Sequence, residues 1–349
     1  MAAYLFFDTV RLNPATGGVL NVSAMLLSHM RASGGQHRVE PVSERFPRLY
    51  RLFDRLRLSR FILDTLLYNY QLLRSALLRE QVLCVFPNYF LPQAAFGRHA
   101  DSIVIVHDLQ YKYFPAYFGP RKVRWLDWCL KRIARSASNV VFISESSQKD
   151  FAKFFGPCAR STVILNPVDA GVAAPASSDE KPERFLIAAY HYYPHKNFAG
   201  VLRLFRAMRE RGLVDTLHVT GDGAAKVEQI IRQHAPELRA QIVLRGKVER
   251  RVLVDLFRRS VAFVSMSTFE GFNLSAAEAA TLGVPVLLSD IPVHEELFAE
   301  YGCLVDAERP DLARIEQYLQ SHRRQRPQWA HAARCKPATV AAHYLTLKA

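Results

Sequence analysis

The order of apolar segments predicts an α/β protein built from two doubly wound parallel sheets. Three observations carry this. Short runs rich in β-branched residues alternate with stretches of helical spacing, the pattern of parallel strands joined by crossover helices. The alternation stops once, from Val168 to Arg184, and then resumes. Polar and glycine-bearing clusters stand directly behind several apolar runs, where sheets of this kind bind ligands. A length of 349 residues suits two domains at roughly 150 residues each.

Taken in order, Tyr4–Phe7, Val82–Phe86, Ile103–Val106, Val140–Ile143 and Val163–Leu165 read as buried strands of a first domain over residues 1–167. Leu20–Met30, Arg121–Ala137 and Ser146–Phe155 have the helical period between them. Residues 168–184 are small, charged or proline and carry no period, so they read as a linker. A second domain over 185–330 follows, with strands at Phe185–Ala189, Leu217–Thr220, Ile242–Leu244, Val261–Val264 and Val284–Leu288. Its helices are expected at Asn197–Arg211, Ala224–Gln233, Arg250–Arg259, Leu274–Leu282 and Val293–Glu300. Residues 331–349 form a helical tail expected to pack back on the first domain, and the cleft between the domains is the expected site.

Composition removes several classes. Half the residues are hydrophobic and 22% charged, so the chain has the means to bury a core and is not disordered. Five cysteines, far apart and without a C-x-x-C pair, indicate neither a disulfide framework nor a zinc ribbon. The start, Met1-Ala2-Ala3-Tyr4-Leu5-Phe6-Phe7-Asp8, is a poor signal peptide. No apolar run approaches the ~20 residues of a membrane span, and a cytoplasmic chain is expected. The net charge of +14 is uneven: residues 1–175 hold 22 Lys and Arg against 12 Asp and Glu, or +10 of it. The first half therefore seeks an anionic partner, and charge alone fits nucleic acid, an anionic membrane or a phosphorylated substrate equally.

The most informative segment runs from Ser267 to Ala279, after the strand Val261–Val264. Gly271 lets the backbone approach a ligand closely. The amides of Asn273, Leu274 and Ser275 would open a helix and form an anion site. Glu270 and Glu278 frame the turn, and carboxylates accept hydrogen bonds from sugar hydroxyls. The plainer reading of Ser275 and Glu278 is a capping box, which leaves Glu270 and the Gly271-Phe272 turn unexplained.

Glu270-Gly271-Phe272-Asn273 with Glu278, then Gly283-Val284-Pro285-Val286 and Ser289-Asp290, resembles the E-x7-E signature of glycosyltransferase family 4, retaining enzymes of the GT-B fold. Asn273 stands where the family more often has Gly, and the family's later acid falls on Glu296. The resemblance extends over nearly the whole chain, more weakly in the first half. It implies two Rossmann-like domains facing across a cleft, the second holding a nucleotide-sugar. It puts Gly17 and Gly18 in a glycine loop facing the donor diphosphate, and His107, in His107-Asp108, on the donor sugar. Ser144-Glu145-Ser146 and Asn166-Pro167-Val168-Asp169 match segments that shape the cleft. Lys196, with Asn197 beside it, lies on the diphosphate, and His191 and His195 occupy the places of the family's second cation. Gly221, in Gly221-Asp222-Gly223, forms a turn of the nucleotide pocket. A histidine is cationic only part of the time near neutrality, so the second positive charge is a departure from the family.

The resemblance assigns catalysis to Glu270, Lys196 and His107. It assigns donor binding to Lys196 and to Gly17, Gly18, Asn197, Gly221, Gly271, Phe272, Asn273, Leu274 and Glu278. No cofactor and no metal are expected: no D-x-D occurs, Pro194 interrupts any helix that would pair His191 with His195, and a third ligand is not evident. The implied reaction is transfer of a hexose or deoxyhexose from GDP-mannose, a UDP-hexose or dTDP-rhamnose to a saccharide or lipid-linked saccharide in surface polysaccharide synthesis. A nucleotide-sugar epimerase of the same fold would share the donor contacts. A nucleic-acid-binding protein would explain the charge but not the paired glutamates, and no recognition motif for nucleic acid is present. Arg45–Phe61 reads as a basic amphipathic helix with Arg48, Arg51 and Arg55 on one face and Leu49, Leu52, Phe53 and Leu56 on another. Its apolar face lies either in the core or on an anionic membrane, which would place the protein at the inner face of the cell membrane.

Overall fold

The computed structural model describes residues 3–8, 17–33, 37–58, 60–78, 82–88, 102–136, 139–169, 183–190 and 193–347. The chain divides into two compact units, residues 1–167 with 334–349, and residues 168–333. Most of the expected linker, 170–182, lies outside the described residues.

The first unit holds a six-stranded parallel sheet of β1 (Ala3–Phe6), β2 (Arg38–Pro41), β3 (Val82–Phe86), β4 (Ser102–Val106), β5 (Asn139–Phe142) and β6 (Ser161–Val163), in the order β2-β1-β3-β4-β5-β6. Its helices are α1 (Gly17–Ser33), α2 (Val42–Arg45), α3 (Pro47–Arg55), α4 (Arg60–Leu78), α5 (Gln110–Tyr113), α6 (Pro120–Ser136) and α7 (Glu145–Phe155). β4 is buried along its whole length, as its run of Ile and Val requires in a sheet covered on both faces. Phe7, Tyr68, Phe86, Leu126, Leu130 and Phe151 belong to one core that joins the sheet to α4, α6 and α7.

The second unit repeats the plan with β7 (Phe185–Ala189), β8 (Thr216–Thr220), β9 (Ile242–Gly246), β10 (Ala262–Ser265), β11 (Val286–Ser289) and β12 (Cys303–Val305), ordered β12-β11-β10-β7-β8-β9 and parallel throughout. The helices α8 (Phe198–Glu210), α9 (Ala224–His234), α10 (Arg250–Arg259), α11 (Leu274–Thr281), α12 (Pro292–Phe298) and α13 (Leu312–Gln325) accompany it. The strand order reverses between β7 and β10. That reversal opens a crevice at the carboxyl ends of these strands. The last helix, α14 (Pro337–Thr346), belongs to the first unit and packs on α1, where the Tyr4 hydroxyl donates to the Leu345 carbonyl at 2.9 Å.

Two strands were not expected, β2 and β12, and both are sheet edges. An edge strand needs apolar side chains on fewer contacts, and Arg-Val-Glu-Pro does not announce itself as a buried run. The single basic helix expected over Arg45–Phe61 is a correction. Phe46 and Pro47 divide α2 from α3, Arg57 turns with φ +53°, and α4 begins at Arg60. Its apolar residues divide: Tyr50 is in the core and Phe53 packs against it, but Leu49, Leu52 and Leu56 are 40%, 47% and 56% exposed.

Candidate active site

Lys196 and Glu270 meet at the reversal of the second sheet. Lys196 ends a 3-10 turn, Pro194–Lys196, behind β7, and Glu270 lies in the loop behind β10. The two loops are joined by backbone: the His195 carbonyl accepts from the Thr268 amide at 2.7 Å. This places the Lys196 Nζ 2.6 Å from Glu270 Oε1. The same oxygen accepts from the Ser267 hydroxyl at 2.7 Å. Burial works to raise the Glu270 carboxyl, but the Lys196 charge and the bonds from Lys196 and Ser267 outweigh it, so it stays below its ordinary range.

A chain of donors supports this pair. Asn273 precedes α11 in the left-handed conformation, φ +63°, and its Oδ1 caps the helix by accepting from the Ala276 amide at 3.3 Å. Its Nδ2 donates to Ser265 Oγ at 3.2 Å and to His294 Nε2 at 2.8 Å. The Ser265 and Ser267 hydroxyls are 3.1 Å apart, and since Ser267 gives its proton to Glu270, Ser265 donates to Ser267. Each proton along Asn273, Ser265 and Ser267 therefore points toward the carboxylate. His294 is fully buried, and its Nδ1 donates to the Ser289 carbonyl at 2.8 Å, which leaves Nε2 as the acceptor Asn273 needs. Burial holds this imidazole neutral. The Ser289 hydroxyl closes the ring on the Ser267 carbonyl. His294 was not among the sequence candidates, and only its place five residues beyond the Ser289 of the matched Ser-Asp pair hints at it.

The second glutamate is held from elsewhere. Glu278 Oε1 accepts from Arg250 Nη1 at 2.6 Å, an arginine at the start of α10. Burial raises the Glu278 carboxyl, Arg250 opposes this, and Asp169 adds to it. Arg250 Nη2 is buried without a hydrogen-bond partner. No sequence signal pointed to Arg250, which lies 28 residues from its partner. The capping-box reading is corrected here: Asn273, not Ser275, is the cap, and Glu278 faces Arg250.

The remaining candidates divide clearly. Asn197 is also left-handed, φ +45°, and caps α8 by accepting from the Gly200 amide at 3.1 Å. Gly221 has φ +109°, and a Cβ there would stand 2.4 Å from the Tyr190 carbonyl oxygen, so the ends of β7 and β8 close only around glycine. Phe272 is buried, as is Gly271, and Leu274 is the first residue of α11. His195 does not supply a second cation: burial and the Lys196 charge hold it neutral, its pKa pushed down to about 4. His191 lies outside the described residues.

In the first unit His107 follows β4, is buried, and donates from Nε2 to the Pro87 carbonyl at 2.8 Å. Burial lowers its pKa to about 4, so the ring is neutral. Gly17 and Gly18 are not in a loop but open α1, and a Cβ at Gly18 would meet open space. Among the described residues no group of three His, Cys, Asp or Glu could share a metal ion. In the second unit Lys196 and the first amides of α11 can receive an anion, with the Glu270 carboxylate beside Lys196.

Comparison with known proteins agrees with the fold. Residues 16–172 match the model of "Glycosyltransferase Family 4", and residues 174–335 match that of "Glycosyl transferases group 1". The serotype-specific mannosyltransferase WbdA of Escherichia coli is 30% identical over 130 residues, 36% of this chain and 16% of that one. The O-antigen chain mannosyltransferase B of Escherichia coli is 26% identical over 250 residues, 67% of this chain and 64% of that one. The chain thus spans less than two thirds of the length of either. The structure of Anabaena HepE in complex with UDP and glucose superposes with a TM-score of 0.64 over 98% of both chains at 16% identity. Two doubly wound units of this kind have the GT-B architecture. The chain belongs with proteins that carry these two glycosyltransferase models in tandem, Glycosyltransferase Family 4 over residues 16–172 and Glycosyl transferases group 1 over residues 174–335.

Proposed function

We propose that the chain moves a hexose, mannose first among the candidates, from a nucleotide-sugar to a saccharide or lipid-linked saccharide acceptor in surface polysaccharide synthesis, with retention and without a metal. The observation that carries this is the Lys196–Glu270 pair beside the start of α11 at the reversal of the second sheet. The relatives named above as mannosyltransferases favour mannose. In this reading the bond from the anomeric carbon to the diphosphate breaks through an oxocarbenium-like state. Negative charge grows on the leaving phosphate, where Lys196 and the α11 amides stabilise it. The acceptor oxygen attacks from the same face, and its proton passes to the leaving phosphate. Glu270 holds sugar hydroxyls and Glu278 the ribose diol. Asn197 and Gly221 shape the donor pocket through their backbone.

A thermal-shift series with GDP, UDP and dTDP tests the donor. One of the three should raise the melting temperature well above the others, and Lys196→Ala should abolish that rise. Equal response to all three, or the same shift in the variant, would remove the site. Incubating the matching sugar nucleotide without acceptor should leave it unchanged, whereas conversion to a stereoisomer would assign an epimerase. Turnover should persist in EDTA, and loss restored by magnesium would overturn the metal-free reading.

A further inference from the structure

We propose that Arg250 is the positioning residue for Glu278 and that the pair makes the second unit select ribonucleotides over 2′-deoxyribonucleotides, an inference that rests on the nucleotide-sugar reading of this site. Glu278 lies one turn past Leu274, about 6 Å along α11 from its first amides. A nucleotide with its phosphates on those amides can bring its ribose to that depth. The Glu278 side chain is 14% exposed, and Arg250 Nη1 donates to its Oε1 at 2.6 Å. That bond fixes the plane of the carboxylate. Each carboxylate oxygen has two lone pairs, so Oε1 keeps one acceptor direction beside Oε2. A carboxylate fixed in this way offers two parallel acceptors, which suit the two hydroxyls of a cis-diol. A 2′-deoxyribose fills only one of them. Among carriers built on GDP, UDP and dTDP, the pair therefore favours the first two.

Arg250 is poorly placed to serve stability. It opens α10, where the helix end is itself positive and a cation gains nothing. Its Nη2 is buried without a hydrogen-bond partner, a cost that water would relieve if the side chain, 38% exposed, swung outward. The bond to Glu278 holds it against that release. The carboxylate, in turn, depends on the arginine. Burial and Asp169 both raise the Glu278 carboxyl, and Arg250 opposes them. Without Arg250 the carboxyl is free to turn and to take up a proton, which would put a donor where the diol needs an acceptor.

Calorimetric titration of the full chain tests this, with GDP against 2′-deoxy-GDP and UDP against 2′-deoxy-UDP. Whichever ribonucleotide binds should bind ~10-fold or more tightly than its deoxy form, the factor expected for one hydrogen bond to a charged group. Arg250→Gln should bring that ratio close to one. In a Glu278→Gln background the same substitution should leave the ratio where it stands, because the two residues act as a unit. An arginine with a merely structural role would weaken both forms alike and preserve the ratio. Arg250→Met, which keeps the packing of the stem, replaces the glutamine variant if that one unfolds. Equal binding of the two forms by the parent, preferential binding of dTDP, an unchanged ratio in the arginine variants, or an effect that persists in the Glu278→Gln background would overturn the inference. Failure of every nucleoside diphosphate to bind the parent would overturn the nucleotide-sugar reading itself, and this inference with it.

Discussion

Asn273 occupies a backbone conformation that costs most side chains roughly 1–2 kcal/mol, and it uses all its amide atoms there. Its oxygen caps α11 and its nitrogen serves both Ser265 and His294. Gly at this position would meet the backbone demand but bring no cap and leave His294 Nε2 buried without a donor. Asn273→Ala should therefore cost about 3 kcal/mol from strain, lost cap and the unpaired imidazole. Asn273→Gly should be milder by about 1 kcal/mol, because the strain disappears. Urea denaturation ranks the two, and an alanine variant as stable as the glycine variant would refute the left-handed argument. The same logic separates Ser275 from Glu278. Ser275 caps nothing, so Ser275→Ala should lie within about 0.5 kcal/mol of the parent. Glu278→Gln should weaken donor binding in the proposed function while stability changes little, since Arg250 is partly exposed and can turn to water. Unchanged donor affinity would take Glu278 out of the pocket.

At the scale of elements, the site arises because two neighbouring strands, β7 and β10, each lead through a short loop to a helix with a left-handed asparagine cap, Asn197 or Asn273. These turns direct both helix starts to the same end of the sheet. β8 closes the group through Gly221. Gly221→Ala would press a Cβ on the Tyr190 carbonyl at a φ of +109°, whereas Gly283→Ala, at φ +76°, meets nothing within 4 Å. The first should destabilise by more than about 3 kcal/mol and the second by about 1 kcal/mol, as strain without collision; equal losses would mean that the collision is relieved by a backbone shift. The sequence made the central strands readable because β4, β7 and β10 are buried on both faces and spell apolar runs. Lys196, Glu270 and Glu278 were readable because strand ends and the E-x7-E spacing locate them. Arg250 and His294 were not, since each acts through a partner far off in sequence. The apolar periodicity of Arg45–Phe61 was seen, but periodicity does not say whether a face turns inward. Nothing was read for α4, whose two opposite apolar faces leave no polar side to give it a helical period.

For the whole molecule, buried histidines set the response to acid. His107, His195, His218 and His322 are each held neutral mainly by burial, with pKa values near 4, against about 6.5 in an unfolded chain. Between those values the unfolded state binds more protons, so stability is complete above about pH 6.5 and falls as pH drops toward 4. The loss is about 1.4 kcal/mol per pH unit for each histidine. One of the four, His107, lies in the first unit and three in the second, where burial also lowers His294. The second unit should therefore lose stability more steeply on acidification. Glu278, with its raised carboxyl, opposes this by a single group and only near the carboxylate range. Trp329, buried and stacked on Phe298 at 5.4 Å, reports the second unit, while Trp125 and Trp128 both belong to α6 of the first. In a Trp125→Phe, Trp128→Phe background, the Trp329 emission should change at a higher pH than the circular dichroism of the remaining unit. His322 sharpens the test, because its Nε2 is buried without a partner between the edges of Tyr301 and Tyr318. His322→Leu, close in volume and better suited to a helix, should keep stability at pH 8 and reduce the acid slope of the second unit. An unchanged slope would mean that His322 already takes up its proton in the folded state, and the acid lability of this unit would then rest on His195, His218 and His294.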